Sequence, residues 1–213
     1  EGVFTHLVDS EDAQAAHSLP QLERFLGFLR EHRPGVRYVH AANTGGVMNP
    51  VLRPLMAECG CNLSRPGIGL YGYSPGSDVS GVLPLEPVLT LLAPVTFVKG
   101  VRAGEVASYN ATWTAPGART LATVRYGYAD GYPRSLSNRG VVVVRDDVCP
   151  VVGRVCMDQF LVDVTGLDVN VGDDVTVLGP GRVTAETLAG LAGTNSYEML
   201  TSIAARVERQ YKS

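Results

Sequence analysis

The apolar pattern of this chain changes near residue 87, and that change limits the folds that are open to it. Upstream of this point, strand-like runs at Gly2–Val8, Val36–Ala42 and Ile68–Tyr71 alternate with stretches of helical apolar spacing. Alternation of strand and helix is typical of a parallel sheet that is covered by helices. We therefore predict an α/β domain over residues 1–86.

Two helices are predicted between those strands. Pro20–Glu31 has nearly helical apolar spacing and ends before Arg33-Pro34-Gly35, whereas Val47–Cys59 is partly helical despite two prolines. Three strands in about 75 residues cannot close a (β/α)8 barrel, because that fold takes roughly 250 residues. The segment is therefore predicted to be the later part of such a barrel. Since the chain opens with Glu1, we expect about 150 residues to precede it.

Downstream, short runs rich in Val, Thr and Leu are broken by glycine, which predicts a mostly antiparallel β domain over residues 87–213. We expect Val141–Val144 to form a hairpin with Val151–Val155, with a Cys-Met-Asp-Gln sequence at its end. The other predicted strands are Val88–Val98, Leu121–Tyr128, Cys149–Met157, Phe160–Val164 and Asp174–Leu178. Two helices are expected to close the chain, one over Thr184–Leu191 and one that starts at a capping box at Asn195.

Composition argues against several classes of function. The formal net charge is −3 and the arginines are scattered, so a nucleic-acid-binding surface is not expected. No run of about 18 apolar residues is present, so we predict no membrane-spanning segment. The four cysteines lack metal-ligand spacing. We therefore predict no metal site and a reducing, cytoplasmic compartment.

Polar side chains follow the predicted strands at the edge where parallel α/β sheets bind ligands. His6 lies at the end of the first strand, and His40, Asn43 and Thr44 lie at the end of the second. Arg65 comes just before the third. These residues are therefore candidates for a ligand site.

Four short motifs occur in order along the chain. They are Arg65–Gly72 (RPGIGLYG), Gly127–Tyr132 (GYADGY), Val152–Gln159 (VGRVCMDQ) and Ser196–Glu198 (SYE). Together they resemble the alanine racemases, and the resemblance runs from Thr5 to Arg209. It implies a pyridoxal 5'-phosphate enzyme with a barrel domain and a C-terminal β domain. Such an enzyme interconverts L- and D-alanine for cell-wall precursors, as a homodimer with shared active sites.

Racemisation needs one group that removes the Cα proton and another that returns a proton to the opposite face. The resemblance implies that Tyr109 is one of these groups and acts in the partner subunit's site. His6 matches a histidine that contacts this tyrosine, and Arg65 matches an arginine that hydrogen-bonds the cofactor's pyridine nitrogen. His40 would be the outer member of the hydrogen-bond chain that runs through Arg65. A free phenol needs about 4 kcal/mol to ionise at pH 7, so cationic neighbours would help it.

The resemblance also implies a phosphate site. Thr44, Gly67, Ile68 and Tyr197 match the family's phosphate contacts, and Asn43 lies in the same loop. Glycine loops and helix N-termini gather anions through backbone N–H groups, which is consistent with this assignment. Ordinary capping and turn chemistry is the alternative. Thr44 stands where serine is more usual in the family, and it keeps the hydroxyl.

Other positions match the substrate contacts of the family. The backbone N–H of Met157 would meet the substrate carboxylate, and Asp158 would order the same loop. The entryway positions, where aromatic and cationic groups line the approach of an anionic amino acid, are Tyr128, Arg134, Arg154 and Asn195. For the two arginines, a role as ordinary solvated charges is the alternative.

The lysine that holds the cofactor in this family has no match here. The chain contains only Lys99 and Lys212, so we expect that lysine in a preceding segment and expect residues 1–213 alone to be inactive. Three alternatives stay open. They are a serine or broad-specificity racemase, a non-enzymatic module for pyridoxal phosphate handling or dimerisation, and a hydrolase that uses Asp130 or Asp158. The sequence shows no carboxylate pair or metal cluster that would support the hydrolase.

Two departures from the family pattern concern specificity and the turn after Tyr109. Asn110-Ala111 replaces a frequent Gly-Arg, and Asn195 replaces an apolar residue near the inner gate. Asn195 is either a helix cap or a polar group that admits serine.

If Asn195 admits serine, Asn195→Ile should lower turnover of serine relative to alanine. The measurement is the ratio of the two racemisation rates, and an unchanged ratio contradicts the idea.

Overall fold

The chain divides into two compact units in the computed structural model, which describes residues 1–32 and 35–212. The first unit is Glu1–Val88, and the second begins at Leu89. The boundary predicted from the sequence lies between residues 86 and 87.

The described residues of the first unit form two short parallel strands and three α-helices. They are β1 (Gly2–Phe4), α1 (Ser18–His32), β2 (Tyr38–His40), α2 (Thr44–Met48) and α3 (Arg53–Glu58). β1 pairs with β2 in parallel, with Phe4 opposite His40. The predicted order of strand, helix, strand and helix is therefore confirmed, although both strands are shorter than predicted. The first helix was predicted to end before Arg33-Pro34-Gly35, and the first two of these residues lie outside the described part of the chain.

The core of this unit lies between α1, β2 and α3. Leu22 and Leu26 of α1 are buried one turn apart, which is the spacing expected of an amphipathic helix. Leu22 packs in one cluster with Ala41 and Leu52, both of which are fully buried. This packing holds the C-terminal end of β2, where His40 and Thr44 lie, against the helical layer.

The strand predicted at Ile68–Tyr71 is wrong, because these residues form a 3-10 helix that ends at Gly72 with a φ of 82°. The hydroxyl oxygen of Thr44 accepts hydrogen bonds from the backbone N–H groups of both Gly67 and Gly69. In an extended strand two such amides would lie about 7 Å apart, so one oxygen could not reach both. The parallel pairing beyond β2 is a single bridge between His40 and Leu63.

The strands of the second unit are β3 (Leu91–Val101), β4 (Val106–Ala107), β5 (Trp113–Thr114), β6 (Arg119–Val124), β7 (Val141–Val144), β8 (Asp147–Val152), β9 (Phe160–Asp163) and β10 (Asp174–Leu178). Six of them form a closed barrel with strand order β10-β3-β6-β9-β8-β7. Every neighbouring pair in the barrel is antiparallel. The prediction of a mostly antiparallel β domain is confirmed. The β4–β5 hairpin forms a separate two-stranded sheet.

The central hairpin has a different register from the predicted one. β7 pairs with β8 so that Val144 faces Asp147, and only Arg145 and Asp146 lie in the turn. β8 ends at Val152 because Gly153 adopts a φ of 75° and gives its N–H to the side chain of Asn138. The strands predicted as Val151–Val155 and Cys149–Met157 are therefore wrong in extent. The chain beyond Gly153 is a loop.

Two capped helices close the second unit, as predicted. They are α4 (Ala185–Ala192) and α5 (Ser196–Thr201). The Thr184 hydroxyl accepts the Thr187 N–H, and the Asn195 carboxamide oxygen accepts the Glu198 N–H at 3.0 Å. Asn195 is thus the N-cap of α5. No helix in the described part of the chain is both long enough and apolar enough to cross a membrane.

Gly72→Ala should destabilise the first unit by more than about 2 kcal/mol, because it adds strain at positive φ and a steric clash. A Cβ at Gly72 would overlap the carbonyl oxygen of Glu86. The matched control is Gly60→Ala, since Gly60 has a similar φ of 71° but open space around it. We expect urea denaturation to show a loss of roughly 1–2 kcal/mol for the control. Equal losses would contradict the packing described here.

Candidate active site

The guanidinium of Arg65 lies at the centre of a polar cluster in the first unit. Its Nη2 donates hydrogen bonds to the Thr5 carbonyl (3.0 Å), the His6 Nδ1 (3.3 Å) and the Ala41 carbonyl (3.4 Å), and its Nη1 meets the His40 Nδ1. The backbone N–H of Arg65 donates to the Ala42 carbonyl at 2.8 Å. Three predicted site residues, Arg65, His6 and His40, are therefore brought together.

The cluster assigns the protonation of both imidazoles. An arginine side chain can only donate hydrogen bonds, so the Nδ1 atoms of His6 and His40 are acceptors. Their neutral forms carry the proton on Nε2. Burial lowers the pKa of His40 below its usual range, and the positive charge of Arg65 lowers it further. His40 is therefore neutral at pH 7.

Phe4 is a member of this cluster that sequence reasoning missed. Its ring stacks on His40 with centroids 5.2 Å apart and planes 6° apart. The Cζ of Arg65 lies 5.2 Å from the same ring centroid. The parallel pairing of Phe4 with His40 explains this contact, and the sequence could have suggested it once the two strands were placed in register.

Thr44 forms the centre of a compact polar cradle beside this cluster. It is the first residue of α2, it is buried, and its hydroxyl oxygen lies 2.9 Å from the Gly67 nitrogen and 3.3 Å from the Gly69 nitrogen. A Cβ on Gly69 would lie 2.8 Å from the Thr44 Cγ2, so only glycine allows this approach. Ile68 starts the 3-10 helix between those glycines. Two backbone N–H groups therefore converge on the Thr44 hydroxyl oxygen.

Asn43 has a structural role in the same loop. Its carboxamide oxygen caps α2 by accepting the Gly46 N–H at 2.9 Å, and it also accepts the Ser10 hydroxyl at 2.7 Å. These two bonds fix the start of the helix from which Thr44 projects. A direct contact between Asn43 and a cofactor stays a prediction.

Tyr109 lies in a strained turn of the second unit. Ser108, Asn110 and Ala111 all have positive φ, at 67°, 63° and 47°. The Tyr109 side chain is 72% exposed. Asn110 stands where the resemblance leads one to expect glycine, and asparagine is the residue that best tolerates this conformation after glycine. The departure at this position therefore preserves the turn.

Ser108 fastens this turn to the loop that follows β8, and sequence reasoning missed it. Its hydroxyl accepts the Arg154 N–H at 2.9 Å and donates to the Arg154 carbonyl at 3.0 Å. Arg154 itself is half-buried, and its Nε is buried without a partner in the described part of the chain. No local sequence signal indicates this bond, because the two residues are far apart along the chain.

The loop that carries Met157 runs beside the loop that carries Tyr128. The N–H groups of Tyr128 and Ala129 donate to the carbonyls of Cys156 (3.0 Å) and Met157 (2.8 Å). A Cβ on Gly127 would overlap the Met157 carbonyl, which explains the glycine at this close approach. The side chains of Tyr128 and Met157 are both exposed. The structure therefore places these two predicted site residues side by side.

The two aspartates singled out from the sequence differ in their surroundings. One Asp130 oxygen binds the Arg206 Nε at 2.8 Å and the other accepts the Gly127 N–H at 3.0 Å, so neither is free to act as a base. Asp158 is exposed. The residues that line a polar groove of about 470 Å³ are Thr96, Arg125, Asp130, Asp158, Gln159 and Arg206. The described residues contain no group of three or more His, Cys, Asp or Glu side chains that could hold a metal.

The remaining predicted positions lie on the surface of the second unit. Arg134 is exposed at the start of a 3-10 helix, and its carbonyl accepts the Ser137 hydroxyl at 2.6 Å. Tyr197 is 44% exposed in the first turn of α5. Asn195 is exposed, and its carboxamide oxygen is used as the cap described above.

Comparison with known proteins identifies the family. Residues 88–211 match the family described as "Alanine racemase, C-terminal domain", and residues 1–75 match "Alanine racemase, N-terminal domain". The chain belongs to the alanine racemase family. Alanine racemase from Deinococcus deserti is 45% identical over 212 residues, which are 98% of this chain and 57% of that protein. Alanine racemase from Symbiobacterium thermophilum is 42% identical over 99% of this chain and 56% of its own length.

Solved alanine racemases share the fold. The enzyme from a D-cycloserine-producing Streptomyces lavendulae matches with a TM-score of 0.89 and 32% identity, over 100% of this chain and 56% of that chain. The Bartonella henselae enzyme, with covalently bound pyridoxal phosphate, matches with a TM-score of 0.82 and 33% identity, over 99% and 56%. The predicted fold class is confirmed. The chain spans just over half the length of the relatives that it matches.

The pKa of His40 gives a direct test of the Arg65 cluster. We expect its Cε1–H signal in NMR to titrate below the usual histidine value of about 6.5. Arg65→Gln should raise the midpoint only in part, because burial is the larger cause. Since the folded state binds fewer protons at His40 than the unfolded state, stability should fall as the pH drops below about 6.5.

A His40 midpoint that does not move in Arg65→Gln would contradict the contact between the two side chains.

Proposed function

We propose that the protein to which these residues belong is a pyridoxal 5'-phosphate-dependent alanine racemase that interconverts L- and D-alanine. Its relatives of 45% and 42% identity carry that name. The observation that supports the proposal most is the Arg65 guanidinium, which contacts the Nδ1 atoms of two imidazoles beside the glycine cradle at Thr44. This arrangement suits a ligand with both an aromatic nitrogen and a phosphate.

The residues of the first unit fit this cofactor. Thr44, Gly67 and Ile68 would hold the phosphate, because amide N–H groups and a hydroxyl converge there. The described contacts of Arg65 leave N–H donors on its Nε and Nη1 for a ring nitrogen. A guanidinium cannot accept a proton, so it would keep that nitrogen unprotonated. When bound, the cofactor supplies an electron sink for the substrate's Cα.

Proton transfer is assigned to Tyr109. Its exposed phenol is available to a neighbouring molecule, and we propose that it moves the Cα proton in the partner subunit's site, with His6 as its contact there. The backbone N–H of Met157 would bind the substrate carboxylate, with Asp158 ordering that loop. Tyr197 would complete the phosphate contacts.

The surroundings of the site are assigned in the same way. Tyr128, Arg134, Arg154 and Asn195 would line the approach of the substrate, because aromatic and cationic groups there attract an anionic amino acid. Asn195 already serves as a helix cap, and the relatives of 45% and 42% identity are named for alanine, so alanine is proposed over serine as the substrate.

A second proton-transfer group is needed and is proposed to lie elsewhere in the protein. Lys99 is in β3 of the barrel, and Lys212 is near the end of the chain. Neither is in the Arg65 cluster or the Thr44 cradle. We infer that residues 1–213 alone do not racemise alanine.

The proposed enzyme is a cytoplasmic homodimer that supplies D-alanine for peptidoglycan. Exposure of Tyr109, whose partner would be another subunit, supports the dimer. All four cysteines are free, which agrees with a reducing compartment.

Tyr109→Phe should lower kcat for alanine racemisation by about 10²- to 10⁴-fold, because it removes a proton-transfer group and keeps the ring. The assay follows D- and L-alanine with the longest natural polypeptide that contains these residues. Tyr211→Phe, at a tyrosine that is 92% exposed, is the control and should keep full activity. Equal activity of the two variants would contradict the role of Tyr109. Conversion of serine but not alanine, or of neither, would overturn the proposed substrate or the proposed enzyme.

A further inference from the structure

The backbone of Ser108 has a conformation that an L-amino acid rarely adopts. Its φ is 67° and its ψ is 175°, a region that is populated almost only by glycine. Such a residue persists only where its surroundings hold it, because the conformation costs about 1–3 kcal/mol. Glycine would adopt it without strain. A serine at this position therefore suggests that the hydroxyl is used.

The hydroxyl of Ser108 satisfies both backbone groups of one residue. It accepts the N–H of Arg154 at 2.9 Å and donates to the carbonyl of Arg154 at 3.0 Å. A side chain here replaces the backbone partner that Arg154 would have in a continued strand. Two hydrogen bonds therefore join the turn at Ser108 to the loop after β8.

Gly153 provides the space for this contact. A Cβ at this position would overlap the Cβ of Ser108, and the φ of 75° also favours glycine. The Gly153 backbone is fixed in turn by Asn138, whose N–H donates to the Gly153 carbonyl at 3.1 Å and whose side chain accepts the Gly153 N–H. The Gly153 backbone, against which Ser108 packs, is therefore held by Asn138 at both its N–H and its carbonyl.

Ser108 directly precedes Tyr109, and Arg154 is three residues before Met157 in the same loop. We propose that Ser108 is a positioning residue: its two bonds to Arg154 fix the Tyr109 phenol relative to the loop that carries Met157. The inference rests on the proposed function, because it concerns the proton-transfer role of Tyr109. It adds a residue that determines how the tyrosine is presented.

Two substitutions separate the hydroxyl from the backbone strain. Ser108→Ala keeps the strained conformation and loses both bonds, whereas Ser108→Gly loses the bonds and relieves the strain. We expect Ser108→Gly to be the more stable of the two, while both lower kcat by about 10- to 100-fold, because misplacement by about 1 Å has an effect of this size. KM should change less than kcat.

Ser137→Ala is the matched control. The Ser137 hydroxyl accepts the Val155 N–H at 3.0 Å and donates to the Arg134 carbonyl at 2.6 Å, so it makes the same kind of bridge one residue further along the loop. It does not adjoin Tyr109. Its loss should lower the melting temperature without the changes in proton transfer that are expected for Ser108.

The experiment combines amide hydrogen exchange with isotope effects on the longest natural polypeptide. In both Ser108 variants the Arg154 amide should exchange faster than in the unsubstituted protein, whether or not substrate is present. With alanine deuterated at Cα, the isotope effect on kcat/KM should rise for the enantiomer that gives its proton to Tyr109, and not for the other. Ser137→Ala should leave both isotope effects unchanged.

The outcomes are distinguishable from failure of the proposed function. Unchanged exchange at Arg154, or a loss of activity that is equal in the Ser108 and Ser137 variants with symmetrical isotope effects, would overturn the positioning role alone. An unsubstituted protein that does not racemise alanine would overturn the proposed function, and with it the catalytic meaning of Ser108.

Discussion

A guanidinium can donate hydrogen bonds but cannot accept them, and this constraint organises the ligand end of the first unit. Arg65 reaches carbonyls that follow both strands, Thr5 after β1 and Ala41 after β2, while its own backbone binds Ala42. In their contacts with Arg65, the Nδ1 atoms of His6 and His40 can therefore act only as hydrogen-bond acceptors. One side chain therefore joins the ends of both strands and determines which ring nitrogen of each neighbouring imidazole accepts a hydrogen bond. Any catalytic role of the cluster would begin from this arrangement of donors and acceptors around Arg65.

In the second unit, a serine side chain holds a strained turn in place. The turn that contains Tyr109 has three non-glycine residues at positive φ, which is costly unless neighbouring groups hold it. The Ser108 hydroxyl and the close approach of Gly153 provide that support. In both units, a polar side chain fixes backbone groups far away in sequence. The strained backbone of the second unit therefore lies next to Tyr109, the residue that is proposed to move a proton.

Local patterns in the sequence predicted the elements that depend on local forces. The strand Asp174–Leu178, the helix predicted at Thr184–Leu191 (within one residue at each end) and the cap at Asn195 agree with the structure, because alternation and capping act within a few residues. The proximity of His6 and His40 also followed, since the ends of parallel strands meet at one edge, whereas Arg65 was placed before a strand that does not form. The motifs that resemble the family supplied the rest of the site.

The failures have a common physical cause in long-range contacts. Ile68–Tyr71 is apolar enough for a strand, but the Thr44 hydroxyl binds amides on either side of Ile68 and coils the backbone. β8 stops at Val152 because Asn138 takes the next N–H. The role of Ser108 depends on Arg154, 46 residues away. No window of neighbouring residues contains this information.

The proposed role of Tyr109, as one of two groups that move the Cα proton, is tested most directly by loss of deuterium from Cα-deuterated alanine. D- and L-alanine are each followed separately with the Tyr109→Phe protein. Washout should continue from one enantiomer through the remaining base and stop from the other. Washout that falls equally from both enantiomers, or that continues from both, would contradict it.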